Sequence, residues 1–146
     1  MVPLVPVKAR AGYVASYDQV DYINTLEKYA LPPGVTPHGA IWRYFEVDGD
    51  SMEPTFTKDD VVLASMVPTE DWFQIRNFYI YVVVTENQVL IKRLFRKTDT
   101  KWVMISDNED LYPQELLSVS NIKELWVFRR KINSKAPPPK KFEIKV

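Results

Sequence analysis

The chain has 146 residues, 46% of them hydrophobic, and its 19 basic and 19 acidic side chains cancel to a formal net charge of zero. That length suits one domain with a packed core rather than a disordered chain, and the balanced charge argues against binding nucleic acid through bulk phosphate neutralisation. Cysteine is absent and His38 is the single histidine, which removes disulfides, thiolate zinc sites, cysteine nucleophiles and most histidine-based chemistry. No run of ~18 apolar residues and no signal-peptide pattern occurs, so a cytoplasmic protein without a membrane anchor is expected.

Residues 1–12, MVPLVPVKARAG, carry prolines at positions 3 and 6, which favour an extended arm over a helix. Val20, Ile23, Leu26 and Ala30 then recur at three- and four-residue steps behind Asp18 and Asp21. This is the pattern of one short capped helix over 18–29, ended by Pro32-Pro33-Gly34. From residue 41 onward come six segments rich in Val, Ile, Tyr, Phe and Trp, at 41–47, 61–66, 78–85, 88–95, 101–106 and 122–129. Polar turns separate them, and Glu86-Asn87 between two of them predicts a tight hairpin. Together these elements predict a mostly β domain with one or two short helices, its sheet closed or strongly curled around a barrel-like core. Trp42, Trp72, Trp102 and Trp126 read as packing residues, and His38, between Pro37 and Gly39, as a loop residue. All four glycines are isolated, so no phosphate loop is present. Asp59-Asp60 lacks a further ligand set, so neither a metal nor a cofactor is expected. Residues 133–146, with Pro137-Pro138-Pro139 and Lys140-Lys141, read as a basic, proline-rich, solvated tail. The chain thus divides into an arm (1–12), a domain (13–132) and the tail.

With almost no histidine and no cysteine, hydrolytic chemistry needs another base. A lysine serves only if desolvation or nearby positive charge lets it lose its proton near neutrality, against a reference pKa of about 10.4. In Val89-Leu90-Ile91-Lys92-Arg93-Leu94-Phe95, strand alternation puts Leu90, Lys92 and Leu94 on one face and Val89, Ile91, Arg93 and Phe95 on the other. Lys92 therefore either snorkels to solvent or is held neutral for a purpose. A second segment, Val47-Asp48-Gly49-Asp50-Ser51-Met52-Glu53-Pro54-Thr55, follows a strand directly. Gly49 permits a positive φ, and Ser51 falls where a short helical turn would leave backbone N–H groups unpaired. Ser51 is then either a nucleophile beside oxyanion donors or, with Asp50, merely the cap of that turn.

Taken together, Gly49-Asp50-Ser51-Met52-Glu53-Pro54-Thr55, then Asp59-Asp60-Val61-Val62, then Val89-Leu90-Ile91-Lys92-Arg93-Leu94 resemble the Ser/Lys peptidase domain of LexA and phage lambda-type repressors, a domain shared by the mutagenesis protein UmuD. Ser51 and Lys92 stand 41 positions apart, a separation typical of that family. Ala11-Gly12 resembles its self-cleavage dipeptide and lies the expected distance upstream of Ser51. The resemblance covers residues 5 to 130 and implies the LexA-type peptidase fold. It implies Ser51 as the nucleophile on the Ala11 carbonyl, and neutral Lys92 as the base that later protonates the leaving amine of Gly12. The backbone N–H groups of Asp50 and Ser51 would form the oxyanion hole, a Ser-Lys variant of triad logic. It also implies a homodimer, stimulation of cleavage by a RecA–single-stranded DNA filament, and DNA binding only through a separate N-terminal domain.

The chain departs from the family pattern in three places. Asp59 stands where glycine is common, and the tail has no family role. No helix-turn-helix precedes the arm, so the expectation is the C-terminal regulatory part of a longer repressor. Two other readings stand beside it: a non-cleaving dimerisation module, with Leu125-Trp126-Val127-Phe128 as apolar contact surface, and a UmuD-like accessory protein of a translesion polymerase.

Overall fold

The computed structural model describes residues 1–132 and 142–146. The tail expected over 133–146 lies largely outside the described residues. Nine strands form one sheet, β1 (Val2–Val5), β2 (Lys28–Tyr29), β3 (Trp42–Glu46), β4 (Val61–Met66), β5 (Ile80–Thr85), β6 (Val89–Arg96), β7 (Lys101–Ile105), β8 (Glu115–Ser118) and β9 (Ile122–Ile132). Their spatial order is β2-β1-β3-β4-β9-β5-β6-β7-β8. Only β1 and β3 run parallel; every other neighbouring pair is antiparallel. The fold is mostly β, as expected, but the sheet does not close: β2 and β8 remain its edges.

The sheet buries both faces, which is why β5 reads as an unbroken apolar run. Val82 and Val84 point into a core with Phe45, Val62, Ala64 and Trp126. Tyr81 and Val83 point oppositely, into a second core with Leu94, Trp102 and Leu125. A third, smaller cluster of Val2, Tyr44 and Leu63 fills the β1–β3–β4 end. Two short helices, α1 (Arg10–Ser16) and α2 (Val20–Ile23), cover the first core through Tyr13, Val14, Tyr17, Tyr22 and Ile23. The turn after β3 drives Met52 and Phe56 into the same core. That shared core brings α1 and the Ser51 turn close together.

Several expectations need correction. Residues 1–12 are not an extended arm throughout. Val2–Val5 is extended but paired on both sides, and the chain becomes helical after Pro6. Ala9, Ala11 and Ala15 favour helix, and Tyr13, Val14 and Tyr17 supply its apolar face, so burial overrides the proline signal. The single helix expected over 18–29 is only the four residues of α2. Val20 is 72% exposed, and 28–29 instead complete the edge of β1. β8 was not expected, because Leu116-Leu117 is too short an apolar pair to signal a strand. Of Leu125-Trp126-Val127-Phe128, only the half-buried Val127 and Phe128 keep apolar surface for the contact expected there. The segment lies in β9, between β4 and β5, with Leu125 and Trp126 fully buried. The Glu86-Asn87 hairpin forms, with Thr85 and Gln88 closing it. Trp102 and Trp126 are buried, and Trp42 and Trp72 half-buried.

Candidate active site

Ser51 sits on the loop joining β3 to β4. The loop neck is closed by two backbone bonds, Val47 N–H to Asp60 O at 2.7 Å and Asp59 N–H to Val47 O at 3.2 Å. Gly49 adopts φ +72° at the bend, and Asp59 adopts φ +75° at the neck. Asp60, considered as a cation ligand, instead accepts from Thr57 N–H at 2.9 Å and from the Thr57 hydroxyl at 3.3 Å. Glu53 N–H bonds to Asp50 O and Phe56 N–H to Met52 O, which fold residues 51–56 into tight turns, not a helix, around a cis Glu53–Pro54 peptide bond. Buried Met52 and Phe56 anchor that turn, so the half-buried Ser51 side chain is carried on a fixed backbone. Among the described residues, the N–H groups of Asp50 and Ser51 donate to no other group.

Lys92 lies on β6 opposite Tyr81 of β5. Its amine donates a 2.7 Å hydrogen bond to Ser106 Oγ and sits 5.6 Å from the Tyr112 ring centroid. Burial pushes the Lys92 amine below its ordinary pKa, and attraction to Glu115 on β8 opposes that shift only in part. The burial alternative posed by the sequence is thereby narrowed: the amine is turned onto the hydroxyl of Ser106, just past the end of β7. Among the described residues no hydrogen bond joins Lys92 to the Ser51 hydroxyl.

A segment that the sequence did not single out connects the two. Residues 106–108 follow β7. Asn108 N–H donates to Ser51 O at 3.0 Å and its side-chain amide donates to Asp50 O at 3.2 Å. Asp107 accepts from Arg93 at 2.6 and 3.1 Å and from the Thr55 hydroxyl. The Tyr112 hydroxyl donates to the Asp50 carboxylate. Burial alone would raise the Asp107 carboxyl, but the bonds from Arg93 and Thr55 outweigh it and hold the group below its usual value. The segment is polar and far from Ser51 in sequence, so only its position at the end of the strand expected over 101–106 could have drawn notice.

Ser51, Lys92 and Ala11 line one cleft of about 370 Å³. Its wall is the start of β6. There β7 pairs only from Arg93 onward, so Val89 and Ile91 have no strand partner on the cleft side. Arg10 of α1 reaches across, donating to Val89 O at 2.9 Å and to Glu46 O at 2.6 Å. Ala11 and Gly12 are both exposed, and both lie inside α1. A side chain at Gly12 would meet the Tyr22 hydroxyl at 3.0 Å. The next residue, Tyr13, is fully buried, and its hydroxyl donates to Glu124 at 2.5 Å; the Trp126 indole donates to the same carboxylate at 3.2 Å. Burial raises both the Tyr13 hydroxyl and the Glu124 carboxyl above their usual values.

A mostly β domain that gathers a serine-bearing turn and a half-buried strand lysine around one cleft has the layout of a serine-peptidase-type domain without histidine. Residues 3–125 match the Peptidase S24-like family, and the chain belongs to that family, which comprises the LexA- and UmuD-type autopeptidases. Comparison with curated proteins finds no match. Among the described residues no helix is long and apolar enough to cross a membrane.

Proposed function

We propose that this chain is the regulatory domain of a LexA- or phage-type transcriptional repressor, and that it cleaves itself between Ala11 and Gly12. The observation that carries the reading is the common cleft of Ser51, Lys92 and Ala11. Ser51 Oγ attacks the Ala11 carbonyl carbon while neutral Lys92 takes the hydroxyl proton. The Asp50 and Ser51 N–H groups receive the oxyanion. The Ala11–Gly12 C–N bond then breaks, Lys92 returns its proton to the Gly12 amine, and water hydrolyses the Ala11 ester to free Ser51. The unpaired edge of β6 at Val89 and Ile91 offers backbone partners to an extended peptide.

The bond to be cut is helical here, and a helical peptide cannot present its carbonyl to a nucleophile at the side of a cleft. Cleavage therefore requires the start of α1 to unwind and Arg10 to leave Val89 and Glu46. This favours a resting, uncleaved state, and gives a second reading, a non-cleaving dimerisation module, its one specific support. In the first reading the chain dimerises, DNA is met only through a separate N-terminal domain, and a RecA filament supplies the stimulus that exposes the cleavage segment. The UmuD-like reading shares the chemistry but requires association with a translesion polymerase.

Intact-mass spectrometry during incubation from neutral to alkaline pH tests the proposal. Loss of residues 1–11, faster as pH rises through the lowered Lys92 pKa and absent in Ser51→Ala and Lys92→Ala, is the expected result. An unchanged mass at every pH, or cleavage that survives in Ser51→Ala, overturns self-cleavage; a dimer by sedimentation together with an unchanged mass moves the assignment to the dimerisation module.

A further inference from the structure

We propose that Ser106 is the positioning residue of the candidate pair: its hydroxyl accepts a hydrogen bond from the Lys92 amine and thereby aims the amine at Ser51. The inference rests on the Ser51/Lys92 reading above. A lysine amine rides on four rotatable bonds and by default extends to water. Lys92 instead holds Ser106 Oγ at 2.7 Å. Ser106 is only 3% exposed and directly follows β7, whose pairing of Ile105 with Arg93 carries Ser106 to a place opposite Lys92. The acceptor is thus fixed by the sheet rather than by a mobile loop.

The chemistry of the acceptor matters as much as its place. A neutral amine has two N–H donors and one lone pair. One donor directed at Ser106 restricts the directions left for the lone pair that must receive the Ser51 proton. After the transfer, the ammonium still donates to Ser106, so the contact persists through the step. A hydroxyl carries no charge and does not favour the ammonium as a carboxylate in its place would. The charged groups around Lys92 are otherwise few. Glu115 on β8 attracts the ammonium, Asp48 and Arg10 line the same cleft, Arg93 and Asp107 pair with each other, and Asp50 is engaged by Tyr112.

The same short segment also grips the nucleophile. Two residues beyond Ser106, Asn108 bonds to Ser51 O and Asp50 O, and Asp107 bonds to Thr55. Ser106-Asp107-Asn108 therefore sets the base and the nucleophile turn from one stretch of backbone. Such a brace holds two reacting groups in register when neither touches the other in the resting state.

The test uses the full chain with Ser106→Ala and Ser106→Thr and follows loss of residues 1–11 across pH. Ser106→Ala is expected to lower the alkaline plateau rate roughly 10–100-fold, the scale of a small misplacement of a reacting group. Ser106→Thr, which keeps the hydroxyl, should restore the plateau to within a few-fold. A plateau unchanged in Ser106→Ala, or a shifted pH midpoint with an unchanged plateau, overturns the positioning role while leaving self-cleavage intact. A readout independent of cleavage separates the two ideas. In carbon-13 lysine-labelled chain, a fixed Lys92 amine gives two distinct Hε signals in wild type and Ser106→Thr, which should merge in Ser106→Ala. If no variant loses residues 1–11 yet the signals merge, the contact fixes the amine and the peptidase reading fails. If the signals stay distinct in Ser106→Ala, the positioning inference fails.

Discussion

Two polar clusters flank the same core, and they differ in what they hold. Around Ser51 the bonds are numerous, partly solvated and made by loops: Asn108 on the turn backbone, Asp107 between Arg93 and Thr55, Tyr112 on Asp50. Beneath α1 there is a compact buried group, Tyr13 and Trp126 on one carboxylate, with the Arg43 guanidinium 5.2 Å from the Trp126 ring centroid. The first cluster braces the proposed dyad, and the second fastens the proposed cleavage segment. The contrast teaches that the proposed site is built in advance while its substrate is withheld, so release of α1 should limit the rate.

Breaking the second cluster gives the largest expected effect. Tyr13→Phe removes a donor from a buried carboxylate and should cost about 1–3 kcal/mol in urea unfolding. If α1 release limits cleavage, the same change should speed loss of residues 1–11 by about tenfold for each 1.4 kcal/mol transferred to that step. A destabilised variant that cleaves no faster would show that α1 is not the barrier.

The buried carboxylate sharpens the comparison through pH. The folded-state pKa of Glu124 is raised, chiefly by burial, so the folded chain holds this proton more tightly than the unfolded chain. Its contribution to stability is full below the unfolded value of about 4.3 and is lost as pH rises through the folded value. Glu124→Gln should abolish that component and flatten stability above about pH 4. It should also leave the cleavage profile to follow Lys92 alone. Unfolding curves at a series of pH values check both statements.

The loop cluster should respond less and with the opposite sign. Asp107 is held below its usual pKa despite the upward push of burial. Its contribution is present above the unfolded value of about 3.9 and lost as pH falls through the folded value. Asp107→Asn should cost only about 0.5–1 kcal/mol near neutrality, because Arg93 is partly solvent-screened, and nothing once the wild-type carboxyl is protonated. Cleavage should slow, not accelerate, since the brace on the Ser51 turn loosens. The smallest effect is expected at the loop neck. Asp59 holds φ +75°, and in Asp59→Gly the relief of left-handed strain is offset by glycine's larger loss of chain entropy, so thermal unfolding should shift by under about 1 kcal/mol with cleavage unchanged.

Much of the sheet was legible because it obeys local rules. The β4 segment is apolar and bounded by turns, and Glu86-Asn87 closes the β5–β6 hairpin. The continuous apolar run of β5 marks a strand buried on both faces. Gly49 before Ser51 announced a bend, and the bend is there. Where tertiary contacts outweighed local signals, reading by pattern failed. Two early prolines suggested an arm, yet burial of Tyr13 makes α1 a helix and pairing with β3 takes β1 into the sheet. The apolar residues of β9 suggested a contact surface, yet Trp126 and Leu125 point into the two cores and only Val127 and Phe128 stay half-buried.

The sequence by itself determined the alternation that places Lys92 beside Leu90 and Leu94, the serine-bearing turn, and the family to which both belong, because these depend on neighbours a few positions apart. Only the tertiary structure decided that Lys92 meets Ser106, that Asn108 holds Ser51, and that Tyr13 closes on Glu124 across 111 positions of chain. Those contacts arise from strand order and a shared core, and a polar residue carries no local mark of the distant partner that folding brings to it.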